Sequence, residues 1–258
     1  MLNFKNVNII AILFLIVFIL LRITMDISFW WLFRLTMVWL ILISIGSLHI
    51  RWNFFMHALH KNAKVNGELI AITFDDGPHP EFTPKTLELL KKYNAKATFF
   101  LIGRNAEKHP ELVKKILSEG HIIGNHSYSH INNFGFLSFK KVFVDIELGQ
   151  AVFKRITNLK LQFFRPPFGV SNPNISRAIK KLKLKTFGWR VRSYDTIARD
   201  PEKVYRKIST KIKKGDVILL HDSSQLSIDV LEKLLQFLQN KNLKSVTLER
   251  LFNLKAYA

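Results

Sequence analysis

Two stretches without a charged residue lie near the start of the chain and restrict what this part can form. Residues 6–21 and 35–50 contain no Asp, Glu, Lys or Arg, and each stretch has 16 residues. A helix of that length spans about 24 Å, slightly less than a hydrocarbon core of about 30 Å, and flanking basic side chains can extend it to the interface. Neither stretch has the polar face of a soluble core helix. We therefore expect a membrane anchor of two transmembrane helices over residues 1–52.

Two alternatives to this anchor are a secretory signal peptide and a pair of buried core helices. A signal peptide ends at small residues, but the first stretch is followed by Arg-Ile-Thr-Met-Asp at residues 22–26. An anchor of one span and one interfacial helix also stays open. Four of the five tryptophans accompany these stretches, as expected at a membrane interface, and they are Trp30, Trp31, Trp39 and Trp52.

The chain is strongly basic, with 39 Lys and Arg against 19 Asp and Glu and a formal net charge of +20. Most of the excess lies downstream of residue 65, and such a charge can indicate a nucleic-acid partner. The basic residues of segment 204–214, however, are spaced as a solvated helix face without aromatic residues between them. We therefore expect no nucleic-acid binding, and membrane lipid or glycan as the anionic surface. The absence of cysteine excludes a disulfide scaffold, a thiolate metal site and a cysteine nucleophile.

After a linker at residues 53–68, strand-like and helix-like segments alternate to the end of the chain. This alternation predicts an α/β fold with a parallel sheet, open or closed. Reactive side chains follow five of the predicted strands, and sites in such folds form where the strands end. We therefore expect one site. Its candidate residues are Asp75, Asp76, His126, His130, Arg165, Asp195, His221 and Asp222.

The types and spacing of these residues indicate metal-assisted hydrolysis. His126 and His130 would share one face of a helical turn and could reach one ion. Of the adjacent Asp75 and Asp76, one could bind a divalent ion while the other takes a proton from water whose pKa the ion lowers. An ordinary Asp-Asp-Gly-Pro turn and a non-haem iron site are alternatives, but the iron site leaves Arg165 without a role.

Five motifs in order resemble those of the polysaccharide deacetylases, the NodB homology or carbohydrate esterase family 4. They are Thr-Phe-Asp-Asp-Gly-Pro at 73–78, His-Ser-x-x-His at 126–130, Arg-Pro-Pro-Phe-Gly at 165–169, Asp195, and Leu-x-His-Asp at 219–222. The resemblance covers a catalytic domain of about residues 69–258. It implies a distorted (β/α)7-type barrel, here preceded by the transmembrane hairpin.

The resemblance also implies a role for each matching residue. A divalent metal ion, usually zinc (Zn2+), would be bound by Asp76, His126 and His130. Asp75 would be the general base that activates the metal-bound water, held ionised by Arg165. His221 would be the general acid, kept protonated by Asp195 behind it. The predicted substrate contacts are Pro167, Phe168, Leu219 and Tyr128, with the backbone N–H of Tyr128 or a neighbour stabilising the oxyanion.

The expected activity is removal of N-acetyl groups from amino sugars of a chito-oligosaccharide or peptidoglycan-like glycan, releasing acetate and a free amine. An alternative enzyme is a deacylase or deformylase of a lipid-linked amino sugar at the membrane. A non-enzyme alternative is a metal-free carbohydrate-binding domain, which would have lost a metal or acid position. The fourth motif departs from the family, because Arg192 and Thr196 stand where an Asp and a Trp are usual. This departure puts substrate identity in doubt.

The side of the membrane is the last expectation. Two spans place both ends of the anchor on one side of the membrane. The basic residues on that side outnumber those of the short loop between the spans, which favours a cytoplasmic domain. The expected substrate, an envelope glycan, lies outside the cell. We expect an extracytoplasmic catalytic domain. The oligomeric state does not follow from the sequence.

Overall fold

The computed structural model describes residues 3–258. Its strands are β1 (Ala58–Leu59), β2 (Leu69–Asp75), β3 (Ala97–Leu101), β4 (Ile122–Asn125), β5 (Phe163–Phe164), β6 (Lys185–Phe187), β7 (Val191–Arg192), β8 (Val217–His221) and β9 (Lys244–Ser245). Its helices are α1 (Phe4–Thr24), α2 (Trp30–Leu48), α3 (Phe82–Lys92), α4 (Gly103–Lys108), α5 (Pro110–Ser118), α6 (Phe139–Thr157), α7 (Pro173–Lys181), α8 (Pro201–Ser209), α9 (Gln225–Asn240) and α10 (Leu248–Phe252).

The first two helices are longer than the uncharged stretches that predict them. Helix α1 has 21 residues and α2 has 19, which correspond to about 32 Å and about 29 Å of helix. By length and composition both could cross a membrane, and few of their side chains are buried. The two helices contact each other, with Trp39 Nε1 donating to Asn8 Oδ1 at 2.9 Å. They are therefore not core helices of the part of the chain that the structure describes.

The sheet confirms the expected α/β architecture. Its strands follow the order β1-β6-β5-β4-β3-β2-β8-β7, with β9 also paired to β2, and every pairing between strands is parallel. β1 and β7 form the two edges, so the sheet curls into a half-barrel that stays open between them. The central strand β2 is buried along almost its whole length. Such a strand needs apolar residues on both faces, which explains its near-continuous apolar sequence.

Two apolar layers cover the two faces of the sheet. Ile72 of β2 packs with Leu87 of α3 in the layer between the sheet and the helices. Ala71, the next residue back along β2, points the other way into a cluster with Phe100 inside the half-barrel. Gly124 of β4 permits this inner packing, since a Cβ there would lie 2.6 Å from the Phe100 ring. The interior is therefore filled, and the site is left to the strand ends.

Residues 53–68, predicted as a linker, include an ordered strand. β1 pairs with β6, and Gly188 N donates to Leu59 O at 2.9 Å. On the other side of the opening, Val217 N donates to His60 O at 3.2 Å, and Lys61 forms a bridge with Asp216. This segment therefore lies in the gap of the half-barrel, between β6 on one side and the start of β8 on the other.

Candidate active site

Strand order and register bring the predicted residues to one end of the sheet. Strand β2 ends at Asp75, its neighbour β8 ends at His221, and these two residues are direct register partners. β4 and β5 are also neighbours, so the residues that follow them, His126 and Arg165, emerge side by side. Asp195 follows the edge strand β7. Because the sheet is parallel, all these strand ends meet at one rim.

Asp76, His126 and His130 converge on one point. Asp76 Oδ1 lies 3.4 Å from His126 Nε2 and 3.2 Å from His130 Nε2. One ligand atom from each residue lies within 4.8 Å of the others. The two histidines do not share a helical turn as predicted: they lie on an irregular loop in which Ser127 and His130 have positive φ values of 68° and 46°. The loop conformation, rather than helical spacing, brings their rings to a centroid distance of 4.9 Å.

The chemistry of these three groups fits a divalent cation. His126 Nδ1 lies 2.7 Å from the carbonyl oxygen of Arg165, which can only accept, so Nδ1 carries the proton and Nε2 presents a lone pair to Asp76. Asp76 Oδ1 is buried and has no hydrogen-bond partner within residues 3–258. Two imidazoles and one carboxylate are a donor set that zinc and related ions take. A cation between Asp76 Oδ1 and the Nε2 atoms of His126 and His130 would accept electron pairs from all three.

The electrostatics of the site favour the same interpretation. Burial alone would raise the pKa of Asp76, but His126, His130 and His221 outweigh it and hold that pKa well below its usual range. Burial and the charge of His126 lower the pKa of His130 to about 4, so its ring is neutral near neutral pH. Burial also acts to lower the pKa of His126, yet Asp75 and Asp76 outweigh it and raise that pKa. The carboxylates of Asp75 and Asp76 therefore stabilise positive charge beside them, as a bound cation would require.

Asp75 forms a buried ion pair with Arg165. Arg165 Nη1 donates to Asp75 Oδ1 at 2.6 Å and to Thr73 Oγ1 at 2.8 Å, and Nη2 donates to Gly188 O at 2.8 Å. The guanidinium is completely buried and lies over the ring of Phe100. A buried arginine with these partners keeps one geometry, so the Asp75 carboxylate is held in one orientation, with its other oxygen, Oδ2, 3.8 Å from His126 Nε2.

His221 and Asp195 form the second pair. His221 Nδ1 lies 2.8 Å from Asp195 Oδ1, and the backbone N–H of His221 donates to Asp195 Oδ2 at 2.9 Å. Ser193 Oγ also donates to Asp195, at 2.7 Å. Burial acts to lower the pKa of His221, but the Asp195 carboxylate outweighs it and raises that pKa to about 8. His221 Nε2 lies 3.8 Å from Asp76 Oδ2, so the protonated ring faces the carboxylate of Asp76.

The predicted substrate contacts lie in different surroundings. Phe168 is 44% exposed and its ring centroid lies 4.7 Å from that of His130, while Pro167 is buried. Leu219 precedes His221 by two residues on β8, so it points to the same face one layer deeper, and only 2% of it is exposed. Its direct contact with substrate stays a prediction.

The expectation for the backbone of Tyr128 is wrong. Its N–H donates to Asp145 Oδ1 at 2.9 Å and so is not available to an oxyanion. Its phenol donates to Glu107 at 3.0 Å. The N–H of Phe168, by contrast, has no acceptor in the part of the chain that the structure describes. Phe168 is not a neighbour of Tyr128 in the chain, so the sequence did not indicate this N–H group.

Several residues that support the site were not predicted. Asp145 of α6 accepts from the N–H groups of Tyr128 and Ser129, inside the loop that carries the two histidines. Asn125 Oδ1 accepts from Ser127 N at 2.8 Å, and its place directly before His126 was an available signal. No local signal indicated Asp145, because it lies in the middle of a helix. Asp222, by contrast, is one of the predicted site residues: it is hydrogen-bonded to the Thr83 hydroxyl, and burial raises its pKa to about 7.

The region of the fourth motif is open and basic. Thr196, which stands where the family has a tryptophan, is exposed, and the adjacent Ile197 is 79% exposed. The Arg192 guanidinium lies over the rings of Trp189 and Tyr194, at 5.2 Å and 4.8 Å from their centroids. The usual tryptophan is thus replaced by an exposed threonine, and the usual aspartate by an arginine that lies over two aromatic rings.

Comparisons with known proteins agree with this geometry. The family model described as polysaccharide deacetylase matches residues 62–187. A peptidoglycan-N-acetylglucosamine deacetylase of Bacillus cereus is 36% identical over 195 residues, which cover 74% of this chain and 91% of that protein. A chitooligosaccharide deacetylase of Azorhizobium caulinodans is 35% identical, over 65% of this chain and 80% of its own length. The solved structure of the Bc1960 peptidoglycan N-acetylglucosamine deacetylase has a TM-score of 0.73 at 34% identity, covering 78% of this chain and 94% of that one.

Proposed function

This chain belongs to the polysaccharide deacetylase family, and we propose that it removes N-acetyl groups from amino sugars of a peptidoglycan-like or chito-oligosaccharide glycan. The observation that carries the proposal is that two acid–base pairs adjoin the cluster of Asp76, His126 and His130. Asp75, paired with Arg165, lies 3.8 Å from His126, and His221, paired with Asp195, lies 3.8 Å from Asp76. The names of the relatives specify glycans, so the lipid-linked amino sugar is not favoured as the substrate.

Asp76, His126 and His130 would hold the divalent cation, with zinc as the proposed ion. When bound, it would polarise the acyl carbonyl and lower the pKa of the attacking water. Asp75 would take the proton of the attacking water, and the ion pair with Arg165 orients Asp75 for this step. The N–H of Phe168 is a further donor beside the site for charge that develops on the carbonyl oxygen.

His221 completes the reaction by protonating the departing nitrogen. Its pKa of about 8 keeps it protonated at neutral pH, which a general acid requires. Asp195 orients the ring through Nδ1, so the proton is delivered from Nε2. The C–N bond of the amide breaks, and the products are acetate and a free amine on the sugar.

The proposed organisation is a membrane anchor at residues 1–52 followed by a catalytic domain at residues 69–258 that faces the outside of the cell. The lengths of α1 and α2 match a hydrocarbon core, and their apolar side chains are exposed in the structure. Helix α1 begins and helix α2 ends on the side of the catalytic domain, where Phe4 N donates to Phe54 O at 3.0 Å. An envelope glycan as substrate supports the outward orientation.

Acetate release by the full chain in detergent tests the proposed activity. With an N-acetylated chito-oligosaccharide, we expect release that a chelator abolishes and zinc restores. Asp75→Asn should lower the rate at least 100-fold, since a general base contributes about 10²–10⁴-fold, and should keep the bound metal. Glu88→Gln, which removes an exposed carboxylate on α3, is the matched control and should retain full activity. Full activity of Asp75→Asn would overturn the assigned mechanism.

A further inference from the structure

A basic groove lies at the junction of the N-terminal helices and the catalytic domain. We call it the juxtamembrane groove; its volume is about 420 Å³. The side chains that line it are Arg51, Trp189, Arg190, Val191, Arg192, Tyr194, Lys207, Lys211 and Lys213. Six of these nine residues are cationic and none is acidic. A groove of this composition is suited to an anionic group.

The positive charge of the groove is not compensated by neighbouring carboxylates. Within residues 3–258, none of its six cations forms an ion pair. Asp216 is buried, accepts from the backbone N–H of Lys213 at 3.0 Å and lies 3.8 Å from Lys61, and Glu202 of α8 pairs with Arg206 and Lys233. Like charges that lie close together repel each other, so an anion that enters the groove stabilises the arrangement.

Two further observations point to a ligand in this groove. Arg192 Nε is buried and has no hydrogen-bond partner in the described part of the chain, although its guanidinium is held between two aromatic rings. Lys207 Nζ lies over one of the same rings, 4.5 Å from the centroid of Tyr194. Packing of this kind holds the cations in position rather than leaving them free in solvent.

The groove lies at the level where a membrane would have its head groups. Helix α2 ends at Leu48, and Arg51 follows three residues later in a short 3-10 helix. That distance is about 6 Å, while the head-group layer on each side of a bilayer is about 5–8 Å thick. Arg51 Nη1 donates to Arg190 O at 3.3 Å, and Ser171 N donates to Ser47 O at 2.9 Å. The catalytic domain is thus attached directly to the end of the proposed span.

We propose that the juxtamembrane groove binds the phosphate of an anionic phospholipid from the membrane that holds α1 and α2. This rests on the proposed membrane insertion, and adds to it a specific lipid site. The occupant follows from charge complementarity and from the position of Arg51 in the head-group layer. Because Tyr194 lines the groove and directly precedes Asp195, a bound head group holds the active-site rim at a defined height above the bilayer.

Lipid binding to the full chain in detergent, measured by native mass spectrometry with added lipid, tests the proposal. We expect phosphatidylglycerol to bind at least tenfold more tightly than phosphatidylcholine. The double variant Arg190→Gln/Lys211→Gln removes two cations. It should weaken phosphatidylglycerol binding about 30-fold, since each cation near an anionic surface contributes about a factor of five. The matched control Lys108→Gln/Lys114→Gln removes two exposed cations from α4 and α5 and should bind as the unchanged chain does.

Three results would overturn the lipid site. They are equal binding of the two lipids, equal binding by the double variant and its control, and saturable binding of soluble glycerol phosphate polymer in place of phosphatidylglycerol.

Acetate release from a soluble chito-oligosaccharide is measured in parallel, because it does not depend on the lipid. Loss of acetate release with the lipid preference intact contradicts only the proposed activity, and the reverse result contradicts only the lipid site. Resistance of the chain to alkaline extraction from membranes reports on insertion separately.

Discussion

Asp75 and Asp76 are adjacent in the chain but have opposite surroundings. Asp75 ends a strand and meets the buried guanidinium of Arg165, whereas Asp76 has a φ of 74° and turns toward the imidazoles. In a continued strand the two side chains would also point to opposite faces. The left-handed backbone at Asp76 ends the strand there and directs this carboxylate to His126 and His130. Two identical side chains can therefore serve as proton acceptor and metal ligand.

The pair of His221 and Asp195 makes a prediction for the pH profile. The pKa of His221 is raised to about 8, so the protonated acid is present below pH 8 and is lost above it. We expect kcat/KM to fall on the alkaline side of about pH 8. Asp195→Asn removes the charge that opposes burial, so this alkaline limb should move to lower pH by about 1–3 units.

The control for this profile is Ser193→Ala. It removes a hydrogen bond to Asp195 but keeps the carboxylate, so its alkaline limb should move less than that of Asp195→Asn. The measurement is kcat/KM for acetate release between pH 6 and 10 at fixed metal concentration. An alkaline limb that is the same in Asp195→Asn and in the unchanged chain would contradict the role of Asp195.

The loop between β4 and α6 shows how one element positions another. Neither histidine of this loop is held by regular secondary structure. Asn125 at the end of β4 and Asp145 on α6 instead accept from three successive backbone N–H groups, those of Ser127, Tyr128 and Ser129. Helix α6 lies close enough because Gly149 has no Cβ, which would meet Asn125 Oδ1 at 2.9 Å. The geometry of the metal-type cluster thus depends on the packing of a helix.

Replacing Asp145 should therefore weaken metal binding without touching a ligand. We expect Asp145→Ala to lower the affinity for zinc by about 10–100-fold, the usual cost of losing a group that orients metal ligands. Competition with a chromophoric chelator measures this affinity. Glu147→Ala, an exposed change on the same helix, should leave it unaltered. Equal zinc affinity of the two variants would show that the loop holds its conformation without Asp145.

For the molecule as a whole, the segment after α2 joins the proposed anchor to the catalytic domain. Ile50 packs with Ala58, Trp189 and Leu219 in one cluster, beneath the layer that carries His221. β1 then pairs with β6, and the next residues contact β8. An edge strand exposes unpaired backbone groups, and here the chain from the anchor covers one of the two edges of the half-barrel. The proposed span and the catalytic domain therefore form one continuous packed unit.

The natural absence of cysteine allows a direct test of orientation in the membrane. A single cysteine at Lys114→Cys lies on the exposed surface of the catalytic domain, and one at Asp26→Cys lies in the turn between α1 and α2. With intact cells and a membrane-impermeant maleimide, we expect labelling at 114 and none at 26 until the cells are permeabilised. The reverse pattern would place the catalytic domain in the cytoplasm.

Much of the architecture and the candidate site follows from local patterns in the chain. The alternation of apolar strands with amphipathic helices predicts a parallel α/β sheet, because burial on both faces requires continuous apolar segments. The motif residues lie directly at strand ends, so the topology alone brings Asp75 and His221 together. The uncharged stretches likewise predict α1 and α2, because a long run of apolar residues can be recognised without knowing which other segments it contacts.

Other features depend on partners far away in the chain, and only packing determines them. β1 has two residues, too few for a period, and it exists because β6 offers a free edge some 130 residues later. The N–H of Tyr128 is taken by Asp145 because α6 packs against the loop, a contact that no spacing indicates. The juxtamembrane groove likewise combines Arg51 with residues near 190 and 210, since the half-barrel stays open where they meet. Long-range pairing is decided by the free energy of the whole packed chain, which local sequence does not contain.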